Sequence, residues 1–336
     1  MLKGLALTPP VIGRIAIGRV VEKAGRRLPE KDDEFTLTSQ VQNKEGWVPH
    51  PVDAQLRKEP GAKLRSIPVR LLFDDPDLSL RANYTMFDRA TGRPLCVGDG
   101  ESCKRVTLSG MQSLPCPSPA VCPLAQDGNC KPYGRLHVRV EAEGHTEAGM
   151  EGMSGDELGS FVFRTTGFNS IRTLSARLRY LFAVSGGLLA GLPLELRLRG
   201  KSTTLSHRTP IYYVDLTLRA GSSLAQVVAL ARQEREQQAA LGLDQAALDD
   251  AARQGLALGE FEESEEEGVE VAEEFYPESG IKGEHAGAGD VDGSESRRTR
   301  EPSPPISLRG KLHRKQEALG PRATPTGDPG ASHAGS

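Results

Sequence analysis

The chain has 336 residues, with 42 Lys and Arg against 45 Asp and Glu, a formal net charge of −3, and only 37% hydrophobic and 5% aromatic residues. That length ordinarily holds about two domains, but the apolar content is too low for two packed cores, so one folded domain with a long polar extension is expected. Residues 1–256 carry 33 basic and 28 acidic side chains and residues 257–336 carry 9 and 17, a mildly basic body with an acidic tail that is compatible with nucleic-acid contact without arguing strongly for it.

In chain order, Met1–Pro10 is too short for a secretory apolar region, so a cytoplasmic location is expected. Residues 15–21 and 35–41 read as strands. From Ile67 the alternation is clear: Ile67, Val69, Leu71 and Phe73, then the turn Asp74-Asp75-Pro76-Asp77, then Leu78, Leu80, Ala82, Tyr84 and Met86. Two period-two runs around an acidic turn predict a pair of strands. Residues 88–132 are turn-rich and hold every cysteine. Leu136, Val138 and Val140 then face inward on a strand whose outward positions are Arg135, His137 and Arg139, and residues 160–165 form another.

The clearest helix follows, capped by Asn169 or Ser170, with Ile171, Leu174, Leu178, Leu181 and Phe182 inside an arc of roughly 100°. Arg172 and Arg179 share one flank, and Gly186-Gly187 ends the element. The longest apolar run, Leu181 to Leu194, is about 14 residues and falls short of a membrane span. Strands are predicted at 194–200 and 211–218, and helices at 222–240 and 244–254. Beyond 259 periodicity is lost: residues 260–278 hold ten glutamates and the remainder is rich in Gly, Pro and Ser. The expectation is an α+β domain over 1–256, an antiparallel sheet with one to three helices, and a disordered tail over 257–336.

Cys96, Cys103, Cys116, Cys122 and Cys130 fall within 35 residues of one another, with no cysteine elsewhere. A stretch so poor in apolar residues needs another source of order, and four thiolates on a tetrahedral zinc ion would provide it. A zinc loop is therefore expected over 96–131. The spacings depart from the usual C-x₂₋₄-C pairs, so unliganded thiols and redox or disulfide chemistry are the alternatives. Cys116, Cys122 and Cys130 are the expected core ligands, with Cys96 preferred over Cys103 as the fourth because Gly98-Asp99-Gly100 can form a tight turn beneath a thiolate. Such a site is closed and structural.

Other motifs fail on inspection. Gly200-Lys201-Ser202 lacks the upstream glycine of a phosphate-binding loop, since position 195 is Glu. Asp74, Asp75, Asp77 and Asp88 could form a carboxylate metal site, but three of them lie where a turn favours acidic residues anyway. Neither a Gly-x-Ser-x-Gly elbow nor His-x-x-x-His occurs. Arginines, by contrast, crowd residues 160–220, and Asn169, Arg172, Arg179, Arg197, Arg199 and Lys201 are the candidate nucleic-acid or partner contacts, with Tyr212 and Tyr213 as stacking groups. The plainer reading of the same arginines is a salt-bridged surface.

The run Gly167-Phe-Asn-Ser-Ile-Arg-Thr-Leu-Ser-Ala-Arg-Leu-Arg, the later Leu189-Ala-Gly-Leu-Pro-Leu-Glu-Leu-Arg-Leu-Arg and the upstream Cys116…Cys122…Cys130-Lys-Pro-Tyr-Gly-Arg-Leu resemble the phage recombination directionality factor-like family over roughly residues 60–220. Relatives on integrative elements and plasmids are often labelled metal-binding proteins or hydrolases. The resemblance implies a non-enzymatic accessory protein of a mobile element that acts in DNA recombination through a recombinase or integrase. It supplies no catalytic residues. A metal-dependent hydrolase acting on nucleic acid or nucleotides and a single-stranded nucleic-acid-binding protein are the alternatives.

Overall fold

Period-two alternation of apolar residues runs through most of the chain, and each alternating stretch becomes a strand of one large sheet. The computed structural model describes residues 10–23, 26–44, 46–57, 59, 61–141, 159–202, 204, 208–258, 271–272 and 275–276, all within the unit Met1–Lys282. Its elements are β1 (Val11–Lys23), β2 (Arg26–Asn43), β3 (Gly46–Pro49), α1 (Pro51–Leu56), β4 (Ser66–Leu71), α2 (Pro76–Ser79), β5 (Leu80–Phe87), β6 (Pro94–Gly98), β7 (Ser102–Thr107), β8 (Gly110–Pro115), a 3₁₀ turn (Pro123–Gly128), β9 (Lys131–Val140), β10 (Ser160–Thr165), α3 (Phe168–Ser185), β11 (Leu194–Lys201), β12 (Ile211–Leu218), α4 (Leu224–Ala240) and α5 (Gln245–Leu258). The fold is α+β, as the patterning predicts.

The sheet forks at β9. One path runs β3-β2-β1-β10-β9-β5-β6-β7-β8, and β9 also pairs with β4, which continues to β11 and β12. Ten residues give β9 room for two partners on one side: Lys131–Leu136 pair with β5 and Val138–Val140 with β4. β4 and β5 are therefore not paired with each other, contrary to the expectation from the sequence. Asp75 caps α2 by accepting the Asp77 N–H, and Pro76 opens the helix, so the acidic stretch separates the strands instead of folding them into a hairpin. Leu78 belongs to this helix and not to a strand. Pairing is antiparallel among the described strands except for β1 against β10.

α3 buries Ile171 over Gly134 and lays Leu174, Leu178 and Leu181 into the core with Phe163, Leu136, Val138, Leu194, Leu196, Val214 and Leu216. It begins after Gly167 and not at Asn169 or Ser170, and Ser170 turns inward to accept the Val214 N–H at 3.1 Å. Gly186 closes the helix in the left-handed conformation at φ 72°, which costs glycine little. Phe182 leaves the predicted stripe and lies near Gly187, 41% exposed. α4 is capped by a Ser223–Gln226 capping box and buries Val227 and Ala231.

Two further expectations change. The cysteine region is not a loop, since most of residues 94–115 form the meander β6-β7-β8. The proposed tail from 257 contributes Val271, Ala272, Phe275 and Tyr276 as buried residues packed on Phe87 and Tyr133. The rest of the predicted disordered tail lies outside the described residues. No helix among those described is long and apolar enough to cross a membrane.

Candidate functional site

The β6–β7 hairpin sets the geometry of the cysteines. Cys96 stands opposite Arg105 and Gly98 opposite Cys103, so Cys96, Cys103 and Arg105 share one face. Asp99 tightens the turn by accepting the N–H groups of Glu101 and Ser102. Gly98 leaves a gap in that face. A Cβ there would lie 2.9 Å from the Cys116 Sγ and 2.7 Å from the Cys103 Cβ, so the absent side chain admits the Cys116 sulfur. The Cys122 N–H donates to the Ser118 carbonyl at 3.1 Å, with Ser118 at φ 65°, folding the Pro-rich link between Cys116 and Cys122 back on itself. Cys130 directly precedes β9, whose Lys131 pairs with Thr85 while the next β5 residue, Met86, pairs with Cys96.

All five thiols thus gather around one hairpin face. Burial pushes the Cys103 thiol up to about 11, aided by a hydrogen bond with Cys96. Burial likewise pushes Cys130 up to about 11, reinforced by Cys96, Cys116 and Cys122. Arg105 answers them: the Cys96 side chain raises its affinity for its proton, and its guanidinium donates to the Cys103 sulfur at 3.8 Å. Cys103 also donates to the Pro115 carbonyl at 3.8 Å. Among the described residues, no three His, Cys, Asp or Glu side chains close into a metal-binding group. Sulfur donors of this kind would suit a thiophilic cation, whose charge would offset the repulsion between their thiolate forms.

A cleft of about 620 Å³ opens between this hairpin and the flank of α3, lined by Arg81, Lys104, Arg135 and Arg179 against Asp77 and Asp99. Behind it runs a row that the sequence reading missed. Arg81 on β5 pairs with Arg135 on β9, which pairs with Arg164 on β10, three arginines abreast on one sheet face. Each arginine was visible in the sequence, but only the strand register aligns them. His137 lies on the same side of β9 and is buried at 4% exposure, contrary to the solvated position expected. Its strand is flanked on both edges, which the alternation alone did not reveal.

The predicted contact face is largely neutralised by its own neighbours. Asp215, buried on β12, accepts from Arg177 at 3.0 Å and Arg199 at 3.1 Å. Glu195 pairs with Arg197, and Asp77 with Arg179 at 3.1 Å. Asn169 Oδ1 accepts from Lys201 Nζ at 2.7 Å, joining two of the candidates. Tyr213 stands across from Arg199 and Tyr212 across from Gly200. Arg172 is exposed on α3 one turn from Phe168, which is 58% exposed, and Tyr180 further along the helix is 56% exposed.

The aspartates weighed for hydrolysis have structural employment. Asp74 accepts the Ala190 N–H and pairs with Arg235, and Asp75 pairs with Arg253. Asp88 is held below the usual carboxylate range by the Thr91 N–H and hydroxyl in the β5–β6 turn. Asp249 accepts both the Asp74 and Asp75 N–H groups, which seats α5 against this corner.

A family model described as Gp3-like, recombination directionality factor-like, matches residues 12–219. No curated protein and no solved structure matches the chain. The matched span includes every strand from β2 to β12 and most of β1, and the chain belongs to the recombination directionality factor-like family.

Proposed function

We propose that this member of the recombination directionality factor-like family is a non-enzymatic accessory protein of a mobile element, which works by docking a recombinase or integrase on the outer face of α3. The observation that carries this reading is the composition of that face. The predicted cations Arg179, Arg197 and Arg199 are paired with Asp77, Glu195 and Asp215, while α3 leaves Phe168, Tyr180 and Phe182 exposed along with Arg172. Aromatic residues with arginine are typical of protein-binding hot spots, whereas phosphate tracking calls for uncommitted cations. The cytoplasm, where recombinases act, is the corresponding location.

The test is reconstitution with a serine recombinase and scoring of recombination products. Replacing Phe168 and Tyr180 by Ala should abolish the change in products and the complex, with DNA affinity of the chain alone remaining weak. Tight, steeply salt-dependent DNA binding lost on changing Arg197 and Arg199 would overturn the reading in favour of a direct nucleic-acid binder.

Zinc is proposed as the resident metal, held by Cys116, Cys122 and Cys130 with Cys96 as fourth ligand and Cys103 left as a thiol. Bound there it would supply order, with no open position for a substrate. The Gly98 gap that admits the Cys116 sulfur supports this assignment, as does the hydrogen bond from Cys103 to the Pro115 carbonyl, which only a protonated thiol can donate. Metal analysis of protein purified under reducing conditions should find about one zinc per chain. Finding none would remove zinc from the proposal.

A second reading, direct contact with a nucleic-acid backbone, is favoured by Arg135 and Arg164, half-buried neighbours on β9 and β10 that place charge on one sheet face beside the buried Arg81. Replacing Arg135 by Gln should then reduce the slope of log affinity against log salt by about 0.9 on duplex DNA.

A further inference from the structure

Beyond α5, the chain contributes a short stretch of described residues that packs against the end of β5 and the start of β9. Val271, Ala272, Phe275 and Tyr276 are 1%, 4%, 1% and 6% exposed, and with Phe87 and Tyr133 they form a cluster separate from the main core. Their spacing of i, i+1, i+4 and i+5 puts them on one side of a helical turn, closed by the Tyr276 N–H donating to the Ala272 carbonyl at 2.9 Å. Phe275 meets Phe87 edge-on at 5.0 Å and Tyr133 at 5.9 Å between ring centroids.

The polar tip is satisfied as well. The Tyr276 hydroxyl donates to the Asn129 carbonyl at 2.6 Å and accepts the Phe87 N–H at 3.2 Å. Lys131 donates to the Phe275 carbonyl at 3.2 Å, and the Arg89 guanidinium lies 4.5 Å from the centre of the Tyr276 ring. Every receiving residue comes from the end of β5, the turn after it, or the start of β9 and the residue pair before it. This is the arrangement of a helical peptide in a receptor groove: an aromatic anchor in an apolar slot, a hydroxyl fixed at its tip, and cations at the rim.

The sequence around the anchors is opposite in charge to Arg89 and Lys131. Glu270, Glu273, Glu274 and Glu278 surround Val271–Tyr276, and residues 259–270, which join it to α5, contain seven glutamates. We propose that the groove formed by Phe87, Arg89, Asn129, Lys131 and Tyr133 is a peptide-docking site for an acidic segment of a partner protein that presents a small aliphatic pair followed three residues later by Phe-Tyr. The chain's own Val271–Tyr276 holds the groove in cis. A tether of this length keeps the local concentration of the internal segment high, so a partner gains the site when it is itself tethered to the protein through another contact. The proposal stands apart from the α3 face and from zinc, and failure of either leaves it intact.

The experiment uses the full chain with Phe275 and Tyr276 both replaced by Ala, which vacates the groove, and a fluorescent peptide of residues 268–279 as the probe. Anisotropy should show the peptide binding the vacated protein at least about tenfold more tightly than the unaltered chain, in which the internal segment competes. A peptide with both aromatics replaced by Ala should not bind. Should the double variant fail to fold, a protease site placed among residues 260–267 allows the folded unaltered chain to be cut, after which the labelled peptide should exchange into the groove. No binding to a folded vacated protein, or a cut fragment that stays bound without exchange, would overturn the proposal and make the segment a permanent clasp. Concentration-dependent dimers of the unaltered chain that the peptide dissolves would overturn the partner assignment in favour of a second copy.

Discussion

The two arms that leave β9 are built on different physics. The β4-β11-β12 arm carries Ile67, Val69, Leu71, Leu194, Leu196, Val214 and Leu216, all fully buried beneath α3 and α4. In the β6-β7-β8 arm, β8 has no buried residue and β7 buries only Cys103. One arm is held by apolar area withdrawn from water, while the other has almost none to withdraw. The difference shows where the proposed zinc would matter most: Cys96 and Cys103 lie within the arm that withdraws little apolar area, and Cys116, Cys122 and Cys130 follow it directly.

That contrast can be broken from either side. The largest effect is expected from Leu196→Ala, which empties a fully buried site shared by β4, β11 and β12. It should lower global stability by about 2–5 kcal/mol, measured by urea denaturation. Replacing Cys122 and Cys130 by Ser, or stripping the proposed zinc with a chelator, should lower amide protection in β6–β8 and leave the Leu194–Leu198 ladder protected. Hydrogen exchange reads both arms at once, and simultaneous loss in both would refute their independence.

A smaller change is expected at Gly98. Gly98→Ala drives a methyl group against Cys103, Cys116 and the Ser102 carbonyl, costing about 1–3 kcal/mol and confined to the cysteine arm. The smallest effect is in pH. In metal-stripped protein burial pushes the folded Cys103 and Cys130 thiols up to about 11 from an ordinary 9.0. The unfolded chain therefore gives up these protons first as pH rises. The stability they contribute is whole below about pH 9 and is lost toward about 11. Thermal melts across that range should decline in the cysteine arm, and zinc-loaded protein should not follow the same curve.

What the sequence disclosed was periodicity, and what it withheld was partnership. The alternation at Ile67–Leu71 and at Leu80–Met86 placed both strands, yet nothing in either run could say that a ten-residue β9 would seat them end to end. The cysteine cluster was legible from its density alone. Its strands were not, because β8 (Gly110–Pro115) carries no apolar alternation and pairs through backbone groups. Arg197 and Arg199 looked like a charged strand face, and only the fold shows Glu195 and Asp215 beside them. Val271, Ala272, Phe275 and Tyr276 carried a helical spacing in plain view, concealed by the glutamates around them. Charge density marked that stretch as solvated, although four apolar side chains at the right offsets suffice to fill one groove.

The parallel pairing of β1 with β10 has a consequence for how the protein is made. The Ser160 N–H and hydroxyl both reach the Pro10 carbonyl, 150 residues earlier, and Val11 lies opposite Ser160. On a ribosome, the β1–β2 hairpin therefore emerges long before the strand that covers its free edge. At ordinary synthesis rates the delay is roughly 6–24 s. Throughout that interval β1 presents an unpaired row of backbone groups, the arrangement most prone to pairing with a neighbouring nascent chain. Yield in a cell should thus depend on translation speed between residues 50 and 165 more than on the stability of the finished fold.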